Sequence, residues 1–333
     1  MILPAFEHRP GVHCGSTALA DALRARGLDL SEPMAFGLGA GLGFFYVASP
    51  ALSPSHLFQG RSAHLERTAC EVLGAPVRER TEDDPARAWD GVKGALARGI
   101  APILATDLAE LPYWRSRTPF GGHRVVLAGH DEGRGIALVA DTDRPGLEEV
   151  SLEALGRARA SLAPPFGQPG HPWLEVDAPA RPRPLGEAIR DALRRQSRDM
   201  LLEVDGIAGV SALERFAGEL SGWPGAARDE EDRAWCFRYA FQVIEKRGTG
   251  GGLFRRMYAL FLGEAEEAVP ALAGLGLRRA MEEIAAGWSR LAAAFRAAAG
   301  EPGAGLPAPA LELAHELARR ERRFHEDLAA RVP

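Results

Sequence analysis

The sequence predicts an α+β protein in which a mixed N-terminal part is followed by a helical C-terminal part. Up to about residue 145, stretches with helical periodicity alternate with short apolar runs typical of strands. The segment 163–184 is rich in proline, and the residues after it carry apolar side chains at helical spacing. These observations favour a domain with an antiparallel sheet over 1–162, a linker or strap over 163–184, and an all-α domain over 185–333.

The N-terminal part contains three predicted helices and three predicted strands. Gly27 and Gly99 follow two of the helical stretches at the position where glycine ends a helix. The helices are expected at 16–26, 65–73 and 84–98. The strands are expected at 101–105, 124–129 and 136–140. Because a polar turn containing Gly133 separates the last two strands, we expect them to pair as an antiparallel hairpin.

The predicted hairpin has a register that joins two polar residues. If its turn is centred on Glu132, His123 and Asp141 face each other, since each lies nine residues from that centre. Directly opposed residues of an antiparallel pair share one face, with Cβ atoms about 4.5–5.5 Å apart. The register therefore predicts a hydrogen bond between His123 and Asp141, and a slip of one residue would abolish it.

The C-terminal part is predicted to be a helical bundle. Three sets of apolar residues recur every three or four positions, which is the spacing of one helix face. They are Leu277, Met281, Ile284, Trp288, Leu291 and Phe295; Cys236, Tyr239, Ala240 and Val243; and Leu313, Leu317, Phe324 and Leu328. Such stripes bury against each other within one chain or against a second copy in a homodimer, and the sequence leaves both arrangements open.

Composition limits the class of protein. The 333 residues include 40 Lys and Arg against 45 Asp and Glu, a net charge of −5 without a long basic run, which argues against a nucleic-acid-binding protein. We expect no signal peptide, because Glu7, His8 and Arg9 precede any apolar stretch, and no membrane contact, because the most apolar early segment, 34–47, is short and broken by glycines. Three widely spaced cysteines suit a reducing cytoplasm, and the nine histidines lack metal-ligand spacing. We therefore expect a cytoplasmic protein without a metal.

Cys14 is the candidate nucleophile. It lies where a loop enters the first predicted helix, and the partial positive charge and N–H groups of a helix N-terminus favour a thiolate and can hold an oxyanion. A thiol nucleophile needs a base, and the base needs an acceptor that fixes its tautomer. His123 and Asp141, which the hairpin joins, provide both and complete the parts of a papain-type site. The alternative for Cys14 is a small buried hydrophobic residue.

Four further residues are candidates for the same site or for binding. His13 is a competing base beside Cys14. His8 precedes Cys14 by six residues, a separation at which papain-like enzymes often carry a glutamine for the oxyanion; it either donates that hydrogen bond or is an ordinary loop residue. Glu32, the only charge in a glycine-rich segment, is either a buried anchor or a contact for a substrate amine. Arg255 follows a glycine-rich loop at a predicted helix start, which either binds an anion or is a plain turn.

Several of these motifs resemble the butirosin biosynthesis protein H family. In the N-terminal part the similarity lies in HCGSTAL, SEPMAFGLGAGLGFFY, GGHRVVLAGHD and ADTD. In the C-terminal part, GTGGGLFRRMYALFLGEA and the later helix from Met281 to Leu291 resemble a helical domain of unknown function that usually follows. The resemblance implies a papain-like, bacteriocin-processing-peptidase-like core with Cys14 as nucleophile, His123 as base and Asp141 as the acceptor that orients it.

The resemblance also implies a function in antibiotic biosynthesis. The member after which this family is named acts in an aminoglycoside pathway, where it moves an acyl group from an acyl carrier protein thioester onto an amine. For this chain we expect a cysteine-dependent acyltransferase whose partners are an acyl carrier protein or similar acyl thioester and a small amine. No cofactor is expected beyond the phosphopantetheine that carries the thioester. A cysteine amidohydrolase or peptidase with the same three residues and a non-catalytic papain-like binding protein are the alternatives.

Overall fold

The structure is a computed structural model that describes residues 1–4, 6–202 and 206–332. The chain forms two compact units. Unit 1 consists of Met1–Ala35 and Cys70–Arg183, and unit 2 consists of Phe36–Ala69 and the chain from Pro184 onward. The change at Arg183 falls at the end of the proline-rich segment. Residues 36–69, which the sequence analysis grouped with the N-terminal domain, belong to unit 2.

Helices and strands alternate in the first half of the chain and helices dominate the second. In chain order they are α1 (Cys14–Arg24), α2 (Glu32–Leu38), β1 (Leu42–Ala48), β2 (His56–Arg61), α3 (Leu65–Leu73), β3 (Val77–Arg80), α4 (Pro85–Ala97), β4 (Ile103–Asp107), β5 (Gly121–Asp131), β6 (Ile136–Ala140), β7 (Leu147–Ser151), α5 (Leu152–Ala160), β8 (Trp173–Val176), α6 (Leu185–Leu201), α7 (Gly209–Glu219), α8 (Trp223–Ala226), α9 (Glu230–Glu245), α10 (Arg255–Ala268), α11 (Leu277–Gly300) and α12 (Ala308–Arg331). Short 3-10 turns cover Leu108–Glu110, Pro112–Trp114, Leu220–Gly222 and Pro270–Leu275.

Unit 1 is built on a six-stranded sheet with the order β3-β8-β4-β5-β6-β7. Every neighbouring pair in it is antiparallel, so the predicted α+β class with an antiparallel sheet is confirmed. All five residues of β4 are buried, and α1 packs against the adjacent strand β5. This packing brings the helix that begins at Cys14 onto the strand that carries His123.

Capping residues set where the helices of unit 1 begin. The Asp84 side chain accepts a hydrogen bond from the backbone N–H of Arg87, and Pro85 follows it, so α4 begins within one residue of the predicted start. His13 caps the N-terminus of α1 in the same way, because its Nδ1 accepts a hydrogen bond from the backbone N–H of Ser16. Helix α1 therefore begins at Cys14, two residues before the predicted start.

The hairpin of β5 and β6 forms as predicted, but the register predicted from its turn is wrong. The pair closest to the turn joins Asp131 to Ile136, so the turn is centred beyond Glu132. Carried on unchanged, this pairing would put Asp141 opposite Val126, on the other face from His123. A β-bulge between Leu127 and Gly129 shifts the pairing by one residue. Val126 then pairs with Ala140, and the face of Asp141 becomes that of His123.

The proline-rich segment forms part of unit 1. Its strand β8 pairs with both β3 and β4 inside the sheet. Nearer its start, the carbonyl oxygen of Pro164 accepts a hydrogen bond of 3.1 Å from the N–H of Gly121, the first residue of β5. The start of the segment therefore lies along the end of β5, whereas its strand β8 is an integral part of the sheet, which neither the linker nor the strap interpretation includes.

Unit 2 contains helices α6 to α12 and the two-stranded antiparallel sheet of β1 and β2. The helical prediction for the C-terminal part holds for that part of the chain, but the unit also contains a hairpin that comes from 36–69. The predicted stripe on α11 is buried along its whole length. Within the ranges that the structure describes, no helix combines the length and apolar character needed to cross a membrane.

Candidate active site

The loop before Cys14 is held by one carboxylate. Glu32 accepts hydrogen bonds from the backbone N–H groups of Val12 (2.9 Å) and His13 (2.8 Å). It also accepts from the hydroxyls of Ser16 (2.9 Å) and Thr17 (3.0 Å) in the first turn of α1. Of the two interpretations of Glu32, the structure supports the anchor: this carboxylate fixes where the chain enters the helix.

His13 acts as the N-cap of α1. Its Nδ1 accepts from the Ser16 backbone N–H at 3.2 Å and lies 3.0 Å from the Ser16 hydroxyl oxygen, and the residue is buried. A ring nitrogen that accepts a backbone hydrogen bond is unprotonated, so Nδ1 of His13 is committed to the cap. Cys14, the first residue of the helix, is half-buried.

His123 and Asp141 are joined directly. His123 Nε2 lies 2.8 Å from Asp141 Oδ1, and both residues are buried, at 4% and 1% exposure. The predicted contact therefore exists, although the bulge, and not the turn, brings it about. The carbonyl oxygen of His123 accepts from the Thr106 hydroxyl at 3.0 Å, which ties this end of β5 to β4.

Asp141 has three further donors, none of which the sequence analysis named. Tyr113 Oη and Trp114 Nε1 both donate to Oδ2 at 2.7 Å, and the Thr142 hydroxyl donates to Oδ1 at 2.9 Å. Burial alone would raise the pKa of Asp141, but the hydrogen bond and charge of His123 and the donors Tyr113 and Trp114 hold it below its usual value. The carboxylate therefore stays ionised. In the sequence, Tyr113 and Trp114 are visible only as adjacent aromatic residues in a loop between strands, and Thr142 only as the residue after Asp141.

The residue after Asp141 is strained. Thr142 is β-branched, yet its φ is 29°, in the region that L-residues other than glycine rarely adopt. A conformation of this kind costs about 1–3 kcal/mol and persists only where its surroundings fix it. The carbonyl oxygen of Thr142 accepts from the Gly11 N–H at 2.7 Å, so the strained residue links Asp141 to the loop that leads to Cys14.

The His123 ring also interacts with Cys14. Complete burial lowers the pKa of His123, but the hydrogen bonds and charges of Asp141 and Cys14 outweigh it and raise the pKa to about 10. Since Nε2 is bonded to Asp141, Nδ1 is the ring atom left for the Cys14 thiol. Trp114 packs edge-on against the ring, with centroids 5.7 Å apart. At neutral pH His123 is therefore an imidazolium with a carboxylate on one side and a sulfur on the other.

The two glycines before His123 are required by the proline-rich strap. A Cβ at Gly121 would lie 1.9 Å from the carbonyl oxygen of Ala163, and one at Gly122 would lie 2.5 Å from the Cβ of Phe166. Gly122 also has φ 84°, a value that glycine adopts without strain. The pair of glycines thus lets the strap cover the strand immediately before His123.

His8 does not have the N–H that an oxyanion donor needs. Its Nδ1 is paired with Asp21 Oδ2, and its Nε2 lies 3.0 Å from the carbonyl oxygen of Arg144. Burial lowers the pKa of His8, but the hydrogen bond and charge of Asp21 raise it overall. Both ring nitrogens therefore donate to internal acceptors, and His8 fastens the N-terminal loop to α1.

Arg255 is an internal structural residue and does not leave its guanidinium to an anion. It is completely buried in unit 2 and forms a bidentate pair with Glu321 at 2.9 and 2.6 Å. Its other N–H groups donate to the carbonyl oxygens of Gly60, Leu253 and Gly43. These five hydrogen bonds use the full donor set of a guanidinium. The anion-site interpretation of Arg255 is therefore wrong.

Cys70 and Cys236 are both buried. Across the described ranges, no group of three or more His, Cys, Asp and Glu residues could hold a metal ion.

Comparison with known families covers most of the chain. Residues 13–142 match the family described as "Butirosin biosynthesis protein H, N-terminal". Residues 153–328 match the family described as "Domain of unknown function (DUF4872)". The first match contains Cys14, His123 and Asp141, and the second contains nearly all of the C-terminal helices. With these two domains in this order, the chain belongs to the butirosin biosynthesis protein H-like family.

Proposed function

We propose that this protein is a papain-like, cysteine-dependent acyltransferase, in which Cys14 takes an acyl group from a thioester and passes it to an amine. The observation that most supports it is His123, which lies 2.8 Å from Asp141, interacts with Cys14 and has its pKa raised to about 10. A thiolate beside an imidazolium is the reactive form of cysteine. Helix α1, which begins at Cys14 and packs on the strand of His123, supports the papain-like core.

The first half-reaction forms an acyl-enzyme. Cys14 Sγ attacks the carbonyl carbon of the thioester, and backbone N–H groups at the start of α1 bind the oxyanion that develops. The oxyanion then collapses and breaks the bond to the leaving thiol, which departs with the proton of His123. The products of this step are a Cys14 thioester, a free thiol and a neutral His123.

The second half-reaction transfers the acyl group. The nitrogen of the amine attacks the Cys14 thioester, and neutral His123 accepts the proton that this nitrogen loses. The carbon–sulfur bond breaks, and Cys14 leaves as a thiolate beside the restored imidazolium. Asp141 keeps its charge throughout and stabilises the protonated His123.

The expected donor is an acyl group on the phosphopantetheine of an acyl carrier protein, or a similar thioester, and the expected acceptor is a small amine. The family name supports a place in antibiotic biosynthesis. Water in place of the amine would make the same three residues an amidohydrolase or peptidase. Exclusion of water from the acyl-enzyme is what separates the two reactions.

Intact-mass spectrometry tests the proposal. The full chain is incubated with a series of acyl-pantetheine thioesters, first alone and then with added amines. We expect an acyl adduct on Cys14 that disappears in Cys14→Ala but persists in Cys70→Ala, a matched loss of a buried thiol. Amide product on addition of an amine supports the transferase. Release of free acid only would favour the hydrolase, and normal turnover by Cys14→Ala would overturn the proposal.

A further inference from the structure

A cavity of about 280 Å³ opens between helices α9 and α11 of unit 2. It is lined by Arg238, Phe241, Gln242, Arg296, Ala299 and Gly300. Arg238 and Gln242 are four residues apart on one face of α9, and Arg296 lies one turn before the end of α11. None of the lining residues is acidic, although the chain as a whole carries a net charge of −5.

The two arginines of this cavity have no protein acceptor in the part of the chain that the structure describes. Arg238 lies over the ring of Trp235 at 5.9 Å, and Arg296 lies over the ring of Phe241 at 5.4 Å. Three other arginines on the same helices are paired with carboxylates: Arg233 with Glu230, Arg278 with Glu282, and Arg279 with Glu283. Both arginines are exposed, and each guanidinium lies near an aromatic ring with its N–H groups available to a ligand.

Two neighbouring features of the cavity bear on its preference for a hydrogen-bond acceptor: the end of α11 and the side chain of Gln242. The carbonyl oxygens at the end of α11 carry partial negative charge, and Arg233 donates to those of Ala298 and of Glu301, the residue after the helix, which offsets part of that charge. Gln242 Oε1 accepts from Arg247, which leaves the amide nitrogen of Gln242 as a donor beside the cavity. The polar side chains that line the cavity are therefore two arginines and one amide, and the apolar ones are Phe241 and Ala299.

We propose that this cavity binds the phosphate group of a small organic phosphate ester. Two guanidinium groups match the charge of a phosphate monoester, which approaches −2 at neutral pH, and they recognise its oxygens in bidentate geometry. Phe241 packs against the organic part. The site lies within unit 2 and goes beyond the proposed acyl transfer, since none of its residues takes part in that reaction.

Isothermal titration calorimetry of the full chain with phenyl phosphate tests this site. Arg238→Gln and Arg296→Gln are each expected to weaken binding roughly tenfold, because each removes a charge-assisted contact. Arg279→Gln is the matched control: it removes the same charge from α11 at an exposed position paired with Glu283, and it should leave binding unchanged. Binding should also weaken as salt is added.

Inorganic phosphate and benzoate separate the ligand classes. We expect phenyl phosphate to bind more tightly than either, since only it combines the dianion with an aromatic group for Phe241. Benzoate binding as tight as that of phenyl phosphate would show a general anion site and overturn the phosphate assignment. Equal affinity in wild type and in the Arg238→Gln, Arg296→Gln double variant, or no saturable binding at millimolar phenyl phosphate, would also overturn it.

Discussion

His123 and His56 are both buried histidines beside a cysteine, yet their imidazoles differ in charge. His56 Nδ1 lies 3.7 Å from Cys236 Sγ and 3.1 Å from the Ser55 hydroxyl. Burial lowers the pKa of His56 and raises that of the Cys236 thiol, so that pair is neutral. His123 has a carboxylate on its other nitrogen and is therefore positive. The contact with Asp141, more than the nearby thiol, makes His123 the candidate catalytic group.

Asp141→Asn should remove most of the charge on His123 at neutral pH. Without the carboxylate, only Cys14 opposes the effect of burial, and we expect the pKa of His123 to fall well below its value of about 10. NMR titration of the histidine ring protons measures this change. The control is Asp131→Asn, at the exposed end of β5, the strand that carries His123. It should leave the pKa of His123 unchanged. An unchanged His123 pKa in Asp141→Asn would contradict the assignment.

The same substitution should alter the pH dependence of stability. The pKa of Asp141 is lowered from 3.8, so its contribution to folding is complete above 3.8; that of His123 is raised from 6.5, so its contribution is complete below 6.5. We expect the free-energy difference of unfolding between wild type and Asp141→Asn to be largest between these pH values. It should shrink as the pH rises toward 10, and denaturant unfolding at several pH values measures it.

Tyr113→Phe removes one donor from a buried carboxylate and nothing else. Burial and the charge of Asp141 raise the pKa of Tyr113, so its hydroxyl stays protonated and donates. We expect a loss of about 1.5–3 kcal/mol in the free energy of unfolding. In an Asp141→Asn background the loss should be smaller, and denaturant unfolding of the four proteins measures the coupling. Equal losses in both backgrounds would mean that the Tyr113 hydroxyl stabilises the fold independently of the Asp141 charge.

Among the helices and strands, the sequence correctly predicts those whose ends are set by local interactions. The predicted helix at 65–73 coincides with α3 and the predicted strand at 136–140 coincides with β6, because periodicity and flanking turn residues set their ends. The pairing of β5 with β6 needed a bulge between Leu127 and Gly129, which depends on how β5 fits the strands on both sides. Counting residues from the centre of the turn does not reveal a bulge. The sequence therefore predicts the correct contact, between His123 and Asp141, from an incorrect register.

The candidate site residues also divide into those that local sequence patterns reveal and those that only the folded chain brings together. Cys14, His123 and Asp141 could be found because each lies at the end of a recognisable helix or strand. Tyr113 and Trp114 lie in a 3-10 turn with no periodicity, and only the folded chain brings them to Asp141. For Arg255 the sequence leaves an anion site and a plain turn open, because a glycine loop before a helix looks the same whether its arginine faces solvent or, as here, the buried Glu321.

Gly122→Ala should disturb both the proline-rich strap and β5, the strand that carries His123. A methyl group there meets the Cβ of Phe166 at 2.5 Å, in addition to the cost of a positive φ. Gly135→Ala is the matched control, because its φ is 68° but nothing lies within 4 Å of the added Cβ. In both variants the free energy of unfolding should fall by about 1–2 kcal/mol because of backbone strain. In Gly122→Ala it should fall by roughly a further 1–3 kcal/mol because of the overlap with Phe166.

Chemical denaturation measures both losses, and NMR of the His123 ring reports the local effect. We expect the His123 signals to move in Gly122→Ala and to stay in place in Gly135→Ala. If the two variants lost the same free energy and left His123 unchanged, the strap would not constrain the strand before His123.

For the whole molecule, the two units are not two consecutive lengths of chain. Unit 1 is interrupted by Phe36–Ala69, which belongs to unit 2. A cut at the proline-rich segment would therefore leave unit 2 without β1 and β2 and would also remove contacts such as those of Arg255 with Gly60 and Gly43. The three cysteines are distributed over both units, so their reactivity can be followed in the intact chain.

Alkylation of the intact chain should therefore distinguish Cys14 from the other two thiols. Cys14 is half-buried and beside an imidazolium, whereas Cys70 and Cys236 are 0% and 1% exposed, and burial raises the pKa of Cys236. We expect iodoacetamide to add one group to the folded protein, on Cys14, and three after unfolding. Cys14→Ala should take none while folded. The Cys14 reaction should persist at pH 6, where an ordinary thiol with a pKa of about 8.5 is almost entirely protonated. Peptide mapping by mass spectrometry assigns each adduct, and equal labelling of Cys14 and Cys70 in the folded chain would contradict an activated Cys14.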